Sequence, residues 1–301
     1  MVRDRMVAKG WGAAAVIATV IAVSGAGQSP RPADGELVRR IAGLTRASVW
    51  TLAASVPLDF PAHHPQGLVK IGDTFHMTAV DRAGLGYLFK FDGAGRLIAS
   101  LKLGEGAIFH PGGIDYDGTS IWVPVAEYRP DSRSIVYRVD PQTLHATEVF
   151  RFEDHLGGIV HNTDDRTLHG VSWGARRFYR WPLGRDGRPT NLAVPPSELR
   201  TLNRSHYVDY QDCKYAGGRR MICTGVTEIR QPAAPPFRLG GIDVVNLTDG
   251  RPEYQVPVNV WTASGLVLTQ NPVWLEPQPA GLRVYAVPED DKAVLYIYEV
   301  K

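Results

Sequence analysis

The chain has 301 residues, 44% of them hydrophobic and 21% charged, proportions that exclude a disordered or fibrous protein. Its formal charge of +2 sits at the extreme N-terminus, where Arg3, Arg5 and Lys9 outweigh Asp4, so the remainder is near neutral and carries no basic footprint for nucleic acid. The 31 glycines and 22 prolines follow no period, which points to many turns between short strands and an all-β fold.

In chain order, a basic start (Met1 to Gly10), an apolar run (Trp11 to Val23) and the small residues Ser24-Gly25-Ala26 form a signal-peptide pattern with cleavage near Ala26. The apolar run is shorter than the roughly 20 residues of a spanning helix. The expected organisation is a signal peptide over 1–26, a linker with one short helix (Gly35 to Leu44) over 27–46, and a single domain over 47–301. Secretion to an extracellular or periplasmic space follows, with no membrane contact after cleavage.

The domain is organised by a repeat. His64-Pro65-Gln66-Gly67-Leu68 returns as His110-Pro111-Gly112-Gly113-Ile114 and as His155-Leu156-Gly157-Gly158-Ile159. Each start is followed by a turn and a β-rich run: Phe75 to Val80, Ile121 to Ala126, Leu168 to Trp173. Weaker copies place Asp209 and Asn271 at the equivalent position, which makes five. Four short strands per unit of this length is the pattern of a propeller blade; a β-sandwich shares the even strand spacing but not the recurring start. The last unit ends at its third strand, so Ser48 to Val56 is expected to supply its outer strand and close a five-bladed β-propeller.

Cys213 and Cys223 flank Tyr215-Ala216-Gly217-Gly218-Arg219, a hairpin turn that sets them on facing strands as a disulfide or as two buried thiols. Neither has a second ligand at metal spacing.

The blade starts, the runs Tyr87 to Asp92 and Tyr137 to Asp140, and the Gly104-Glu105-Gly106 turn resemble the five-bladed secreted glutaminyl cyclotransferases. Gln66-Gly67 matches a blade-start glutamine of those enzymes, whereas Pro111-Gly112 stands where their next blade start is acidic. From His64 through Glu276 the chain is also similar to an uncharacterised family of secreted proteins known as a domain of unknown function, which implies no activity.

Residues at equivalent repeat positions converge on one rim of a propeller channel. His64, His110, His155 and Asp209 therefore form an expected ligand set for a divalent metal ion, since neutral imidazole suits several such ions; the alternative is that each histidine caps a neighbouring backbone. The loops on the same rim supply Glu127, Tyr128, Arg129, Arg133, Trp173, Arg176 and Arg177, a lining suited to carboxylates and sugars. His64, His110, Glu127 and Arg129 are the expected catalytic residues, and Gln66, Trp173, Arg176, Gln211 and Asn271 the expected substrate contacts. His76, His161, His169 and Trp274 read as blade packing. No phosphate loop, dinucleotide fingerprint, nucleophile elbow or His-Glu-x-x-His occurs. Two readings stand: a metal-assisted lyase or hydrolase acting on a small polar or sugar-acid substrate, and a non-catalytic monomer that binds a small-molecule or carbohydrate ligand.

Overall fold

A computed structural model describes residues 35–205 and 207–301. The signal peptide and the first part of the linker lie outside the described residues. The remaining strands form five antiparallel sheets arranged as a five-bladed β-propeller. From the axis outward, blade 1 runs His64–Ile71, Thr74–Val80, Gly86–Asp92 and Leu97–Leu103. The inner strand of blade 2 is split into Ile108–Pro111 and Asp115–Tyr116, so this sheet has five strands rather than the expected four. The inner strands of blades 3, 4 and 5 are Leu156–Asn162, Asp209–Tyr215 and Val273–Gln278.

Ring closure is as the sequence implies. Trp50–Pro57 pairs antiparallel with Val294–Val300, from Trp50 opposite Val300 to Pro57 opposite Val294. The linker helix spans Glu36–Ala42, shorter than expected because Gly35 and Gly43 cap it. Its Leu37, Val38 and Ile41 pack on blades 4 and 5 at the rim where the inner strands end, hereafter the lower rim.

The core is a set of apolar clusters, one between each pair of adjacent blades. Phe75, Phe91 and Met77 of blade 1 meet Tyr285 and Leu295 of blade 5; Phe150, Phe152 and Trp122 of blade 2 meet Tyr179 and Trp181 of blade 3. Second strands are covered on both faces, so Ile121–Glu127 is buried throughout and reads as an unbroken apolar run up to Ala126. Outer strands cover only one face, and Leu97–Leu103 alternates in exposure accordingly.

The repeated Gly-Gly pair has a steric cause. Gly113 N–H donates to Gly157 O at 2.8 Å and Ile159 N–H to Gly113 O at 3.2 Å, so the inner strands of blades 2 and 3 touch backbone to backbone. A Cβ on Gly112 would collide with the Gly157 carbonyl. Strand starts also carry bulges at Gln66, Gly157 and Gln211, each two residues into the repeat.

Cys213 and Cys223 sit opposite one another in register and form a disulfide. It closes a loop of sequence separation 10, and a short loop of that size constrains the unfolded chain by about 2.7 kcal/mol. Replacing both cysteines with alanine is expected to lower the urea-unfolding free energy by that amount without loss of the fold; an unchanged midpoint would show that the bridge contributes nothing.

Candidate functional site

The inner strands begin at the upper rim, and the loops after each second strand open there as well. His110 is the central side chain. It is 5% exposed, its ring lies flat on Tyr128 at 4.2 Å between centroids, and His155 and Trp173 stand at 5.7 and 6.3 Å. Neither ring nitrogen has a hydrogen-bond partner among the described residues. Burial, reinforced by the charges that His155 and His64 would carry, pushes its pKa down to about 3, so the imidazole is neutral and keeps one donor and one acceptor.

His64 is oriented differently. Its Nδ1 is 2.8 Å from Asp290 Oδ1, and Asn271 Nδ2 donates to the same oxygen at 3.2 Å and to Pro288 O at 2.9 Å. Burial works against a charged Asp290, but its bonds to His64 and Asn271 hold its pKa below the usual carboxylate range. An ionised carboxylate fixes the His64 proton on Nδ1 and leaves the Nε2 lone pair outward. Asp290 is absent from the residues expected on sequence grounds. Its signal was the acidic pair Glu289-Asp290 after Ala286-Val287-Pro288, in the loop equivalent to the one that Asp81 opens after Ala79-Val80 in blade 1.

The other expected residues divide into platform and scaffold. Trp173, 37% exposed, and Tyr128, 54% exposed, make an open aromatic surface 5.7 Å apart. His155 is buried, with Nδ1 at 3.0 Å from Glu127 O and 3.1 Å from Arg129 O, the backbone-capping role. Burial holds its pKa below the usual value even though both carbonyls favour the charged form. Glu127 is clamped by Arg133 Nε at 2.7 Å and Arg129 Nε at 2.8 Å, and the Arg133 bond, with that of Arg129, lowers its pKa. Both of its carboxylate oxygens are thus engaged by arginines of the loop over His155. The Arg129 guanidinium is part of that clamp and also donates from Nη1 to Asp131 O at 3.0 Å, with its side chain 59% exposed.

Arg176 pairs with Asp209 at 2.7 Å, so Asp209 is engaged with a loop cation. Gln66 is buried and Gln211 half-buried, each at a bulge of an inner strand. Asn271 is buried and donates to Asp290. Among the described residues no three His, Cys, Asp or Glu side chains are grouped to hold one metal ion. The expected set of His64, His110, His155 and Asp209 meets at the rim but is not brought together as ligands.

Midway along the channel, Asp212 reaches from blade 4 to the opposite blades. Its Oδ2 accepts from Leu68 N at 2.9 Å and its Oδ1 from Ile114 N at 3.1 Å and from the Lys214 ammonium. Below it the channel widens into a cavity of about 370 Å³ lined in part by Asp212, Lys214, Lys70 and Trp274, which sequence reasoning did not locate. His76 and His169 are buried, as expected of packing residues, and Trp274 packs against the clusters on either side of blade 1, as expected, while also forming a wall of this cavity.

Among solved structures, the chain is similar to the GH43 endo-arabinanase from Bacillus licheniformis, with a TM-score of 0.50, 10% identity, and coverage of 81% of this chain and 95% of that one. It is similar to a hypothetical protein from Leishmania major, with a TM-score of 0.50, 12% identity, and 83% and 90% covered. The tail fibre of Staphylococcus aureus phage P68 matches with a TM-score of 0.51 and 11% identity over 88% of this chain, which spans about half, 55%, of the fibre chain. At such identities the likeness shows the fold alone. No curated protein matches the chain in sequence. The resemblance to glutaminyl cyclotransferases is not shown. Among the described residues no helix is long and apolar enough to cross a membrane. The repeat, the ring and the rim all fall within residues 32–301, which match a family of unknown function, DUF6454, and the chain belongs to that family.

Proposed function

We propose that the protein is a secreted enzyme that acts on a small sugar acid at the upper mouth of the channel by acid–base chemistry, with His64 as general base and neutral His110 as a hydrogen-bonding partner of the substrate. The observation that carries this reading is the Asp290–His64 pair beside a buried imidazole with no hydrogen-bond partner among the described residues. An unpartnered buried polar group costs stability unless something else binds it, and a carboxylate behind Nδ1 is the usual means of presenting Nε2 as a base. Tyr128 and Trp173 offer faces for a sugar ring, and the half-exposed guanidinium of Arg176 suits its carboxylate. Removal of a proton next to that carboxylate, with departure of the leaving group across the adjacent bond, is a lyase reaction; delivery of water instead is hydrolysis.

The test uses galacturonate and glucuronate oligosaccharides as probes, followed by ultraviolet absorbance of a new C=C bond and by reducing ends. Turnover by the wild type that falls about 100-fold or more in His64→Ala and Asp290→Asn is expected, while Trp173→Ala raises KM with kcat nearly unchanged. Saturable binding with no turnover would overturn the enzyme reading in favour of a binding propeller. Turnover that survives in both variants would remove His64 as the base.

A further inference from the structure

We infer that the upper rim takes a chain of sugar acids rather than a single unit, and that an aromatic shelf over blades 4 and 5 holds a second unit of that chain. The inference rests on the reading of this rim as a sugar-acid site. The shelf starts from a mismatch in strand length. The two middle strands of blade 4, Arg220–Gln231 and Ala234–Asn246, run to 12 and 13 residues, against 7 for each of Thr74–Val80 and Gly86–Asp92 in blade 1. The inner strand of blade 4 pairs only as far as Val226 and the outer strand only as far as Gly240. Residues 227–239 therefore form a two-stranded hairpin that projects past the sheet at the upper rim.

The projection carries exposed apolar side chains. Phe237 and Ile229 lie opposite one another and both are exposed. The Phe237 ring stands 6.1 Å from the ring of Trp261, also exposed, at 55°. Trp261 belongs to the connection from Pro252–Val258, the outer strand of blade 4, to the inner strand of blade 5. The two rings border an open cleft of about 290 Å³ whose wall includes Arg238 and Glu228. Contiguous exposed apolar surface marks a binding site, and aromatic faces cover the apolar side of a sugar ring.

Two hydrogen bonds make the shelf continuous with the His64–Asp290 pair. Arg238 Nη1 donates to Gln270 Oε1 at 3.0 Å, and the next residue, Asn271, donates to Asp290. Ser264 Oγ donates to Glu289 Oε1 at 3.2 Å, and Asp290 follows Glu289 in the chain. The shelf and the proposed base are thus built on the same two segments. Charge favours an acidic chain here. Arg230 Nε and Arg238 Nε share the one carboxylate of Glu228, at 2.9 and 3.4 Å, and the Arg230 side chain is 84% exposed. Guanidinium donors are left over for the carboxylate of a uronate unit.

The experiment is calorimetric titration of the full chain carrying His64→Ala, so that the ligand stays intact, with digalacturonate, hexagalacturonate and neutral maltohexaose. The hexagalacturonate is expected to bind about tenfold more tightly than the digalacturonate, and maltohexaose about tenfold more weakly than the hexagalacturonate. Adding Trp261→Ala should weaken the hexagalacturonate about five- to tenfold while leaving the digalacturonate and the melting temperature unchanged. Phe237→Ala should act in the same direction. Absent hexagalacturonate binding, equal affinity for the two galacturonates, or hexagalacturonate affinity unchanged in both variants would each overturn the shelf. A wild-type dimer on size exclusion that Trp261→Ala converts to a monomer would assign the shelf to a second copy of the chain and overturn it too. Failure of the enzyme reading is distinct: Trp261-dependent binding in a wild type without turnover would remove the enzyme and keep the shelf. Turnover of digalacturonate with no gain for the longer chain would keep the enzyme and remove the shelf.

Discussion

Replacing Asp212 with alanine is expected to cost about 5 kcal/mol and to leave the protein largely unfolded in mild denaturant. Asp212 is 2% exposed, and its carboxylate receives backbone N–H groups from blades 1 and 2 together with the Lys214 ammonium. Alanine would strand both N–H groups without a partner in the interior, at about 1–3 kcal/mol each. It would also leave Lys214 charged and unpaired, and breaking a buried ion pair from one side typically costs about 3–5 kcal/mol. The losses overlap, so they do not add in full. Burial pushes the Lys214 pKa down, so in the variant the lysine recovers part of the loss by shedding its proton.

Asp212→Asn is the informative companion. One amide oxygen can still accept, but the amide N–H₂ must face either a backbone N–H or an ammonium, all of them donors. A loss of about 3 kcal/mol is expected, and adding Lys214→Met should return part of it because the unpaired charge is then gone. Urea unfolding of the four proteins checks this. An Asp212→Ala variant within about 1 kcal/mol of wild type would mean that the carboxylate does not tie opposite blades together.

Removing the closing strand has the second large effect. A chain that begins at Leu58 lacks Trp50–Pro57, and the Val294–Val300 strand then becomes the open edge of blade 5. The helix goes with it, and with the helix go Leu37, Val38 and Ile41, which cover the interface of blades 4 and 5. A bare apolar edge of seven residues templates pairing with other chains. The expected result is material in the void volume on size exclusion, with no cooperative melting transition. A monomer with unchanged melting would show that the ring holds without its closing strand.

The two large effects differ in how far the sequence announces them. The closing strand was legible because the fifth unit ends one strand short and an unpaired β-rich run precedes the first. Asp212 was not legible as a tie: its partners Leu68 and Ile114 lie 144 and 98 residues away, and nothing local marks an aspartate that bonds to backbone across an axis. Asp290 shows the same limit. Its loop after Ala286-Val287-Pro288 could have been aligned with the loop that Asp81 opens, yet its pairing with His64 spans 226 residues and depends on how blade 5 meets blade 1.

The blade-start histidines show where repetition stops being a guide. They share a sequence position and a rim, and repetition alone suggested a shared role. The structure gives each a different neighbour: Asp290 for His64, the Tyr128 ring for His110, and the Glu127 and Arg129 carbonyls for His155. Side-chain direction at a bulged strand start is set by packing against the next blade and not by the repeat.

The sequence by itself determined the number of blades, the way the ring closes and the placing of the two cysteines on facing strands, because these rest on periodicity and on contacts between neighbours in the chain. Only the tertiary structure decided which buried imidazole has no hydrogen-bond partner among the described residues, which carboxylate orients His64, and that a cavity lies below Asp212. Those features arise where side chains from different blades meet around the axis, and their energies depend on burial and on distances that no local pattern encodes.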